Sequence, residues 1–196
     1  MKKDFPDVDA LILCGGAGQR MGGQDKGLQP WQGRSAAEGL RDFARSQGVA
    51  QVWLSANRHI PQYQDLGFSV LPDQRPPYLG PLAGIEAGLL ASQTDWLLVL
   101  PCDSLQLPPN LLPALYQTAQ AGAHRLVWAE DTQEAQRCIC LVRRDPAQLA
   151  AVQQALNLGQ RSVFRWQENT LGYGLCFSHH QFDNRNNPDD WGRKSA

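Results

Sequence analysis

Short apolar runs alternate along the chain with longer stretches that carry an apolar residue every three or four positions. Segments 10–14, 51–55, 96–100, 126–129, 139–142 and 174–177 are short and apolar, and they predict β-strands. Segments 35–46, 82–92, 110–121 and 146–156 have the helical period and predict α-helices. Trp96-Leu97-Leu98-Val99-Leu100 is almost continuously apolar, as a central strand buried on both faces must be, and it stops at Pro101. The alternation predicts an α/β fold, a mostly parallel central sheet with helices on both faces. A length of 196 residues suits a single domain, 1–196. No internal repeat or low-complexity block interrupts the pattern, and the polar stretch 183–187 before Pro188 reads as a turn.

In open parallel sheets ligands sit beyond the carboxyl ends of the strands, so the segments after Leu13, Ala56 and Leu100 are expected to meet in one crevice. The first of them is the most informative. Leu13-Cys14-Gly15-Gly16 opens a run to Asp25-Lys26 in which residues 15–23 include five glycines, with Arg20 and Lys26 as cations. Missing Cβ atoms let phosphate oxygens approach backbone N–H groups, and the two cations supply charge at the rim. The spacing Gly16-x-Gly18-x-x-Met21 lacks the third glycine of the dinucleotide fingerprint. Asp25 before Lys26 excludes the glycine-lysine-hydroxyl order of a P-loop. The run therefore reads as a phosphate loop of another kind, against the alternative of a merely flexible loop.

Pro101-Cys102-Asp103-Ser104 leaves the central strand and places one carboxylate where the phosphates should lie. Asp103 is the expected ligand of a hard cation such as Mg²⁺, which takes one or two carboxylates with phosphate oxygens and water; the alternative is a cap on the following turn. Asn57, just after a strand, can offer its amide to a base edge or a ribose, or can simply form a turn. Asp73 ends the extended Val70-Leu71-Pro72 segment and can accept from a guanine amino group or a ribose hydroxyl. Gly80-Pro81-Leu82 turns into a helix and exposes N-terminal amides suited to an anion.

Charge and composition narrow the classes. The chain has 18 basic and 19 acidic residues, a net charge of −1, which argues against a nucleic-acid surface. The first residues hold no apolar signal segment and no apolar run is long enough for a membrane, so a cytoplasmic location without membrane contact is expected. Cysteines at 14, 102, 138, 140 and 176 lack the paired spacing of a zinc site and read as core thiols. His179-His180 reads as a solvated or packing pair, and Trp31, Trp166 and Trp191 as packing residues.

Taken in order, Leu13-Cys14-Gly15-Gly16 through Arg20-Met21-Gly22 to Asp25-Lys26, then Ala56-Asn57-Arg58, Gly80-Pro81-Leu82-Ala83-Gly84, Pro101-Cys102-Asp103 and Asn184-Arg185-Asn186-Asn187-Pro188 resemble the molybdenum cofactor guanylyltransferase family, within the nucleotidyltransferases. The resemblance runs over almost the whole chain. It implies a three-layer, Rossmann-like fold of the nucleotide-diphospho-sugar transferase type. It implies transfer of GMP from GTP to the phosphate of molybdopterin, with Mg²⁺ as cofactor and pyrophosphate released. By resemblance, Leu13, Cys14, Gly15, Gly16, Asn57 and Asp73 hold the guanosine, Lys26 and Arg20 neutralise phosphate charge, and Asp103 binds the metal. Gly80, Pro81, Leu82, Asn184 and Asn186 fall on the molybdopterin side. The implied partners are the two small substrates, with transient contact to molybdenum insertion and delivery proteins or apo-molybdoenzymes.

Three positions depart from the family pattern: Cys14 stands for an alanine, Leu105 for a proline, and Gln136-Arg137 for a histidine-proline pair. Joining two phosphates brings anions together, so charge neutralisation and positioning are the main needs, and no side-chain nucleophile is required. The alternatives are a cytidylyltransferase relative using CTP, which usually carries alanine-alanine-glycine at Cys14-Gly15-Gly16, and a sugar-phosphate nucleotidyltransferase. A non-catalytic nucleotide-binding accessory protein for cofactor delivery is the alternative from another class; the intact Lys26 and Asp103 weigh against it.

Overall fold

Val8–Leu13 forms β1, whose Val8, Ala10 and Ile12 side chains enter one core cluster while Leu11 enters another. A strand that alternates between two cores must have helices on both sides, which is the arrangement found in this computed structural model. It describes residues 6–16, 23–76, 79–131, 135–178, 182–184 and 191. After a short 3₁₀ turn at Lys26–Leu28, a two-residue hairpin pairs β2 (Pro30–Trp31) with β3 (Arg34–Ser35) and leads into α1 (Ala36–Ser46). There follow β4 (Val52–Ser55), α2 (Ile60–Asp65), β5 (Ser69–Leu71), α3 (Pro81–Ala91), β6 (Trp96–Pro101) and β7 (Ser104–Gln106). The remainder is α4 (Leu111–Ala121), β8 (Leu126–Glu130), β9 (Ala135–Arg143), α5 (Pro146–Asn157), α6 (Val163–Asn169), β10 (Tyr173–Cys176) and β11 (Asp183–Asn184).

Seven strands make one sheet in the order β10-β8-β9-β6-β1-β4-β5. Pairings β1–β4, β1–β6, β4–β5 and β8–β10 are parallel, and only β9 runs against its neighbours β6 and β8. The expected mostly parallel α/β sheet is therefore the observed one. Register aligns Leu13 with both Ser55 and Pro101, so β1, β4 and β6 end together.

Two glycines explain how closely α3 lies on the sheet. A Cβ at Gly84 would stand 2.6 Å from Ser55 Oγ and 2.7 Å from Leu13 Cδ2, and one at Gly88 would stand 2.8 Å from Leu11 Cδ2. At the start of that helix Gly80 has φ +88°, a left-handed conformation that glycine adopts without a Cβ penalty, and Pro81 occupies the first helical turn. Arg75 holds the incoming segment by a two-pronged ion pair, Nε to Glu86 Oε2 at 2.7 Å and Nη2 to Glu86 Oε1 at 3.0 Å, while Nη1 reaches Asn157 Oδ1 at 2.6 Å. The Glu86 carboxylate is buried on α3, so this loop is fixed to the helix it feeds.

Some expectations change. The polar stretch expected to turn at 183–187 instead begins with β11, where Asp183 pairs with Gln106 and Asn184 with Ser104 in antiparallel register; positions 185–188 lie outside the described residues. β9 starts at Ala135 rather than 139 and carries an irregularity opposite Trp128 and Ala129, whose partners are Cys140 and Gln136. The strand predicted at 174–177 starts and ends one residue earlier. The short elements α2, α6, β2, β3 and β7 have too few residues to show a period.

Candidate active site

The crevice forms at the common ends of β1, β4 and β6. Cys14 N donates to Ser55 O at 2.8 Å and Leu13 O accepts from Cys102 N at 3.1 Å, so Leu13 and Cys14 still belong to the sheet. The amides of Gly15 and Gly16 take no partner among the described residues. A Cβ at Gly15 would be 3.5 Å from Asn57 Nδ2, whereas one at Gly16 would meet nothing within 4 Å among the described residues. The chain is thus bare of side chains where it leaves the sheet. Cys14 points its thiol away from this opening, into the core, at 5 % exposure.

The loop returns at Asp25, whose carboxylate is buried. Asp25 Oδ1 accepts from Gly27 N at 3.0 Å and from the Tyr63 hydroxyl at 2.6 Å, and so it caps the 3₁₀ turn that begins with Lys26. A Cβ at Gly27 would fall 2.4 Å from Tyr63 Oη and 2.7 Å from Cys14 Sγ, so no side chain fits there. Burial, reinforced by Cys14 and Asp25, holds the Tyr63 hydroxyl protonated far above the usual phenol range. The loop motif contained Asp25 without a role, and Tyr63 in a short helix gave no signal; together they fasten the turn.

With the turn fastened, Lys26 Nζ lies 2.8 Å from Asp103 Oδ2, and each side chain keeps just over a fifth of its surface exposed. Asp103 occupies the turn between β6 and β7 and pairs with a cation instead of capping. Its Oδ1 takes no partner among the described residues. No group of three or more His, Cys, Asp or Glu side chains that could enclose a metal exists among the described residues. One carboxylate with a free oxygen fits a hard divalent cation whose other ligands are phosphate and water.

Across the opening, Asn57 Nδ2 donates to Asp73 Oδ2 at 2.8 Å while Asn57 Oδ1 accepts from Asp73 N at 3.0 Å. The turn-forming and ligand-facing readings of Asn57 meet here, because the side chain orders the Asp73 loop and stands beside Gly15. Arg58 next to it donates Nη1 to Gly23 O at 3.1 Å, tying the far end of the glycine-rich run to β4.

The remaining expected site residues fall in three groups. Gly80 and Pro81 open α3, with a Cβ at Gly80 only 3.3 Å from Arg161 O. Leu82 is fully buried, so its side chain serves the core rather than a ligand. The backbone of Asn184 pairs with Ser104, which brings that strand beside the Asp103 turn. Arg20 and Asn186 lie outside the described residues. Trp166 is buried, in keeping with a packing role, and no helix among the described residues is long and apolar enough to cross a membrane.

Comparison with known proteins agrees with this geometry. Residues 10–171 match the family model described as MobA-like NTP transferase domain. A protein of Shewanella frigidimarina named molybdenum cofactor guanylyltransferase is 37 % identical over 161 residues, 82 % of this chain and 81 % of its own. Among solved structures, the molybdopterin-guanine dinucleotide biosynthesis protein A of Archaeoglobus fulgidus superposes with a TM-score of 0.72 at 19 % identity, covering 93 % of this chain and 94 % of its own. A Mycobacterium tuberculosis protein solved in complex with manganese gives a TM-score of 0.69 at 12 % identity, covering 94 % and 96 %. Matched by that model over residues 10–171 and 37 % identical to the Shewanella relative over most of both chains, this chain belongs to the MobA-like NTP transferase family.

Proposed function

We propose that the protein, acting as one nucleotidyltransferase domain in the cytoplasm, transfers GMP from GTP to the phosphate of molybdopterin and releases pyrophosphate. The observation that carries this reading is the Lys26–Asp103 pair at the mouth of a loop stripped of side chains at Gly15 and Gly16. The name and 37 % identity of the Shewanella relative support the choice of base and acceptor.

In this reading the guanosine lies along Leu13–Gly16, with Asp73 accepting from the base or ribose and Asn57 holding Asp73 in place. Sheet bonding already uses Leu13 O and Cys14 N, so the Gly15 and Gly16 amides are the donors left to a ligand. Lys26 and Arg20 counter the charge of the triphosphate as the acceptor phosphate approaches from the side of Gly80, Pro81 and Asn184. Asp103 would hold Mg²⁺, which when bound would add positive charge beside the phosphates. Lys26 holds the same carboxylate over 2.8 Å, so its charge stands beside the one that would bind the cation. Like charges are thereby neutralised and aligned, which is the work phosphoryl-type transfer asks of a protein.

Incubating the protein with molybdopterin, Mg²⁺ and equimolar GTP and CTP, and identifying the dinucleotide by chromatography, tests the reading. The guanine dinucleotide is expected, and it should disappear in Asp103→Asn. Cytosine dinucleotide would reverse the base, and no product with either nucleotide would favour an accessory role.

A further inference from the structure

At the start of β9 a cation is held between two aromatic rings. The Arg137 guanidinium carbon lies 4.4 Å from the centre of the Trp128 ring and 4.6 Å from that of Phe164, so it rests against both rings. Trp128 is buried on β8 and tethered through Nε1 to Glu130 at 2.6 Å, whereas Phe164 on α6 is 45 % exposed. Gln167, wholly buried, donates Nε2 to the Arg137 carbonyl at 2.8 Å and accepts from Nη1 at a long 3.4 Å. Among the described residues Arg137 makes no ion pair. Two aromatic contacts and the Gln167 bonds thus hold the guanidinium, and among the described residues most of its donors are left to something else.

Its place in the sheet says where that edge lies. Between Trp128 and Ala129 the partner on β9 jumps from Cys140 to Gln136, so residues 137–139 bulge out of the ladder. Bulges re-aim side chains and gather beside active sites. Because β9 is antiparallel to β6 with Val99 opposite Cys140, the β9 residues before Cys140 run alongside the end of β6 and the Asp103 turn. Consistent with this, Asp103 is among the charges that raise the Cys138 thiol, after burial. Leu79, which precedes Gly80, packs on the same core cluster as Cys138.

We propose that Arg137 binds the acceptor by its phosphate monoester, as a rigid guanidinium fork on the opposite side of Asp103 from the nucleotide loop. A planar fork matches two phosphate oxygens, and a guanidinium already held against two rings loses little freedom on doing so. The inference rests on the reading of molybdopterin as acceptor.

Fluorescence titration of the intact protein with molybdopterin, with its dephosphorylated pterin and with GTP separates the two. Arg137→Lys keeps the charge and loses the fork, and should weaken molybdopterin binding roughly 10- to 100-fold, the worth of a hydrogen-bonded charge. GTP affinity, the melting temperature and affinity for the dephosphorylated pterin should stay as in wild type. Should Arg137→Lys melt early, Phe164→Leu, changed at an exposed ring, is the variant that decides, with the same selective loss expected. Unchanged molybdopterin affinity, an equal loss for GTP, or an equal loss for the dephosphorylated pterin would overturn the assignment. If the wild type binds GTP but no molybdopterin, the acceptor reading itself fails, and this inference with it.

Discussion

Lys26 Nζ donates to Asp103 Oδ2 over 2.8 Å, joining the turn that follows the first strand to the turn that follows the central one. A partly exposed pair of this kind adds little to stability, about 0–1 kcal/mol. Its cost to catalysis should be far larger, because in the proposed function both groups act on developing phosphate charge. Lys26→Ala and Asp103→Asn are each predicted to lower kcat about 100- to 1,000-fold, with melting temperatures close to wild type. Steady-state kinetics over a range of Mg²⁺ concentrations checks this, and only Asp103→Asn should also raise the Mg²⁺ requirement. A normal rate in either variant would remove that residue from the mechanism.

The pair of bonds between Asn57 and Asp73 makes a second prediction. Asn57→Asp replaces the donated hydrogen bond by two facing carboxylates. Stability should fall by about 1–3 kcal/mol and GTP affinity by roughly tenfold. Like charge raises a carboxyl pKa in the folded state, so the penalty is present at neutral pH and fades as pH falls and one of the pair takes up a proton. Urea unfolding at pH 7 and pH 5 measures it; an equal deficit at both values would mean that the repulsion is not its cause.

Behind Lys26 stands the buried contact of the Tyr63 hydroxyl with Asp25 Oδ1, and Asp25 Oδ2 has no partner among the described residues. Tyr63→Phe removes one of the few groups satisfying that carboxylate. A stability loss of about 1–3 kcal/mol is expected, together with a lower kcat, since the turn carrying Lys26 loosens. The KM for GTP should change less than kcat. Loss of stability with unchanged kcat would show that the fastening does not reach Lys26.

Much of this was legible in the sequence because two kinds of signal are local. Runs such as 96–100 must be buried on both faces, and a loop like 13–26 needs its glycines at fixed places beside a strand. What could not be read depends on partners far along the chain. Asp183 and Asn184 look like a polar turn until Gln106 and Ser104 offer an edge to pair with. Tyr63 looks like any apolar residue of a short helix until Asp25 is seen against its hydroxyl. Leu82 follows the Gly80-Pro81 turn and so resembled a ligand contact, although the helical period carries its side chain into the core. Likewise Arg137 stood out only as a departure from a pattern; the aromatic rings on either side of it come from β8 and α6.

Beside the start of the glycine-rich run, Cys102 and Cys14 are buried neighbours, one residue beyond the aligned Leu13 and Pro101. A hydrogen bond with Cys14, then burial, raises the Cys102 thiol well above its usual value of 9.0. Burial raises Cys140 as well and pushes Cys138 up to about 12. A thiol raised in the folded state keeps its proton there while the unfolded chain gives it up. Its contribution to stability is therefore complete below pH 9 and is lost as pH rises beyond, at about 1.4 kcal/mol per pH unit for each such group. Urea unfolding between pH 8 and pH 10.5 should show stability falling from pH 9 upward. In Cys102→Ala, which removes one titrating group from the folded core, the fall should be shallower by one group's share. Parallel curves for the two proteins would show that Cys102 titrates alike in the folded and unfolded chain, contrary to its surroundings.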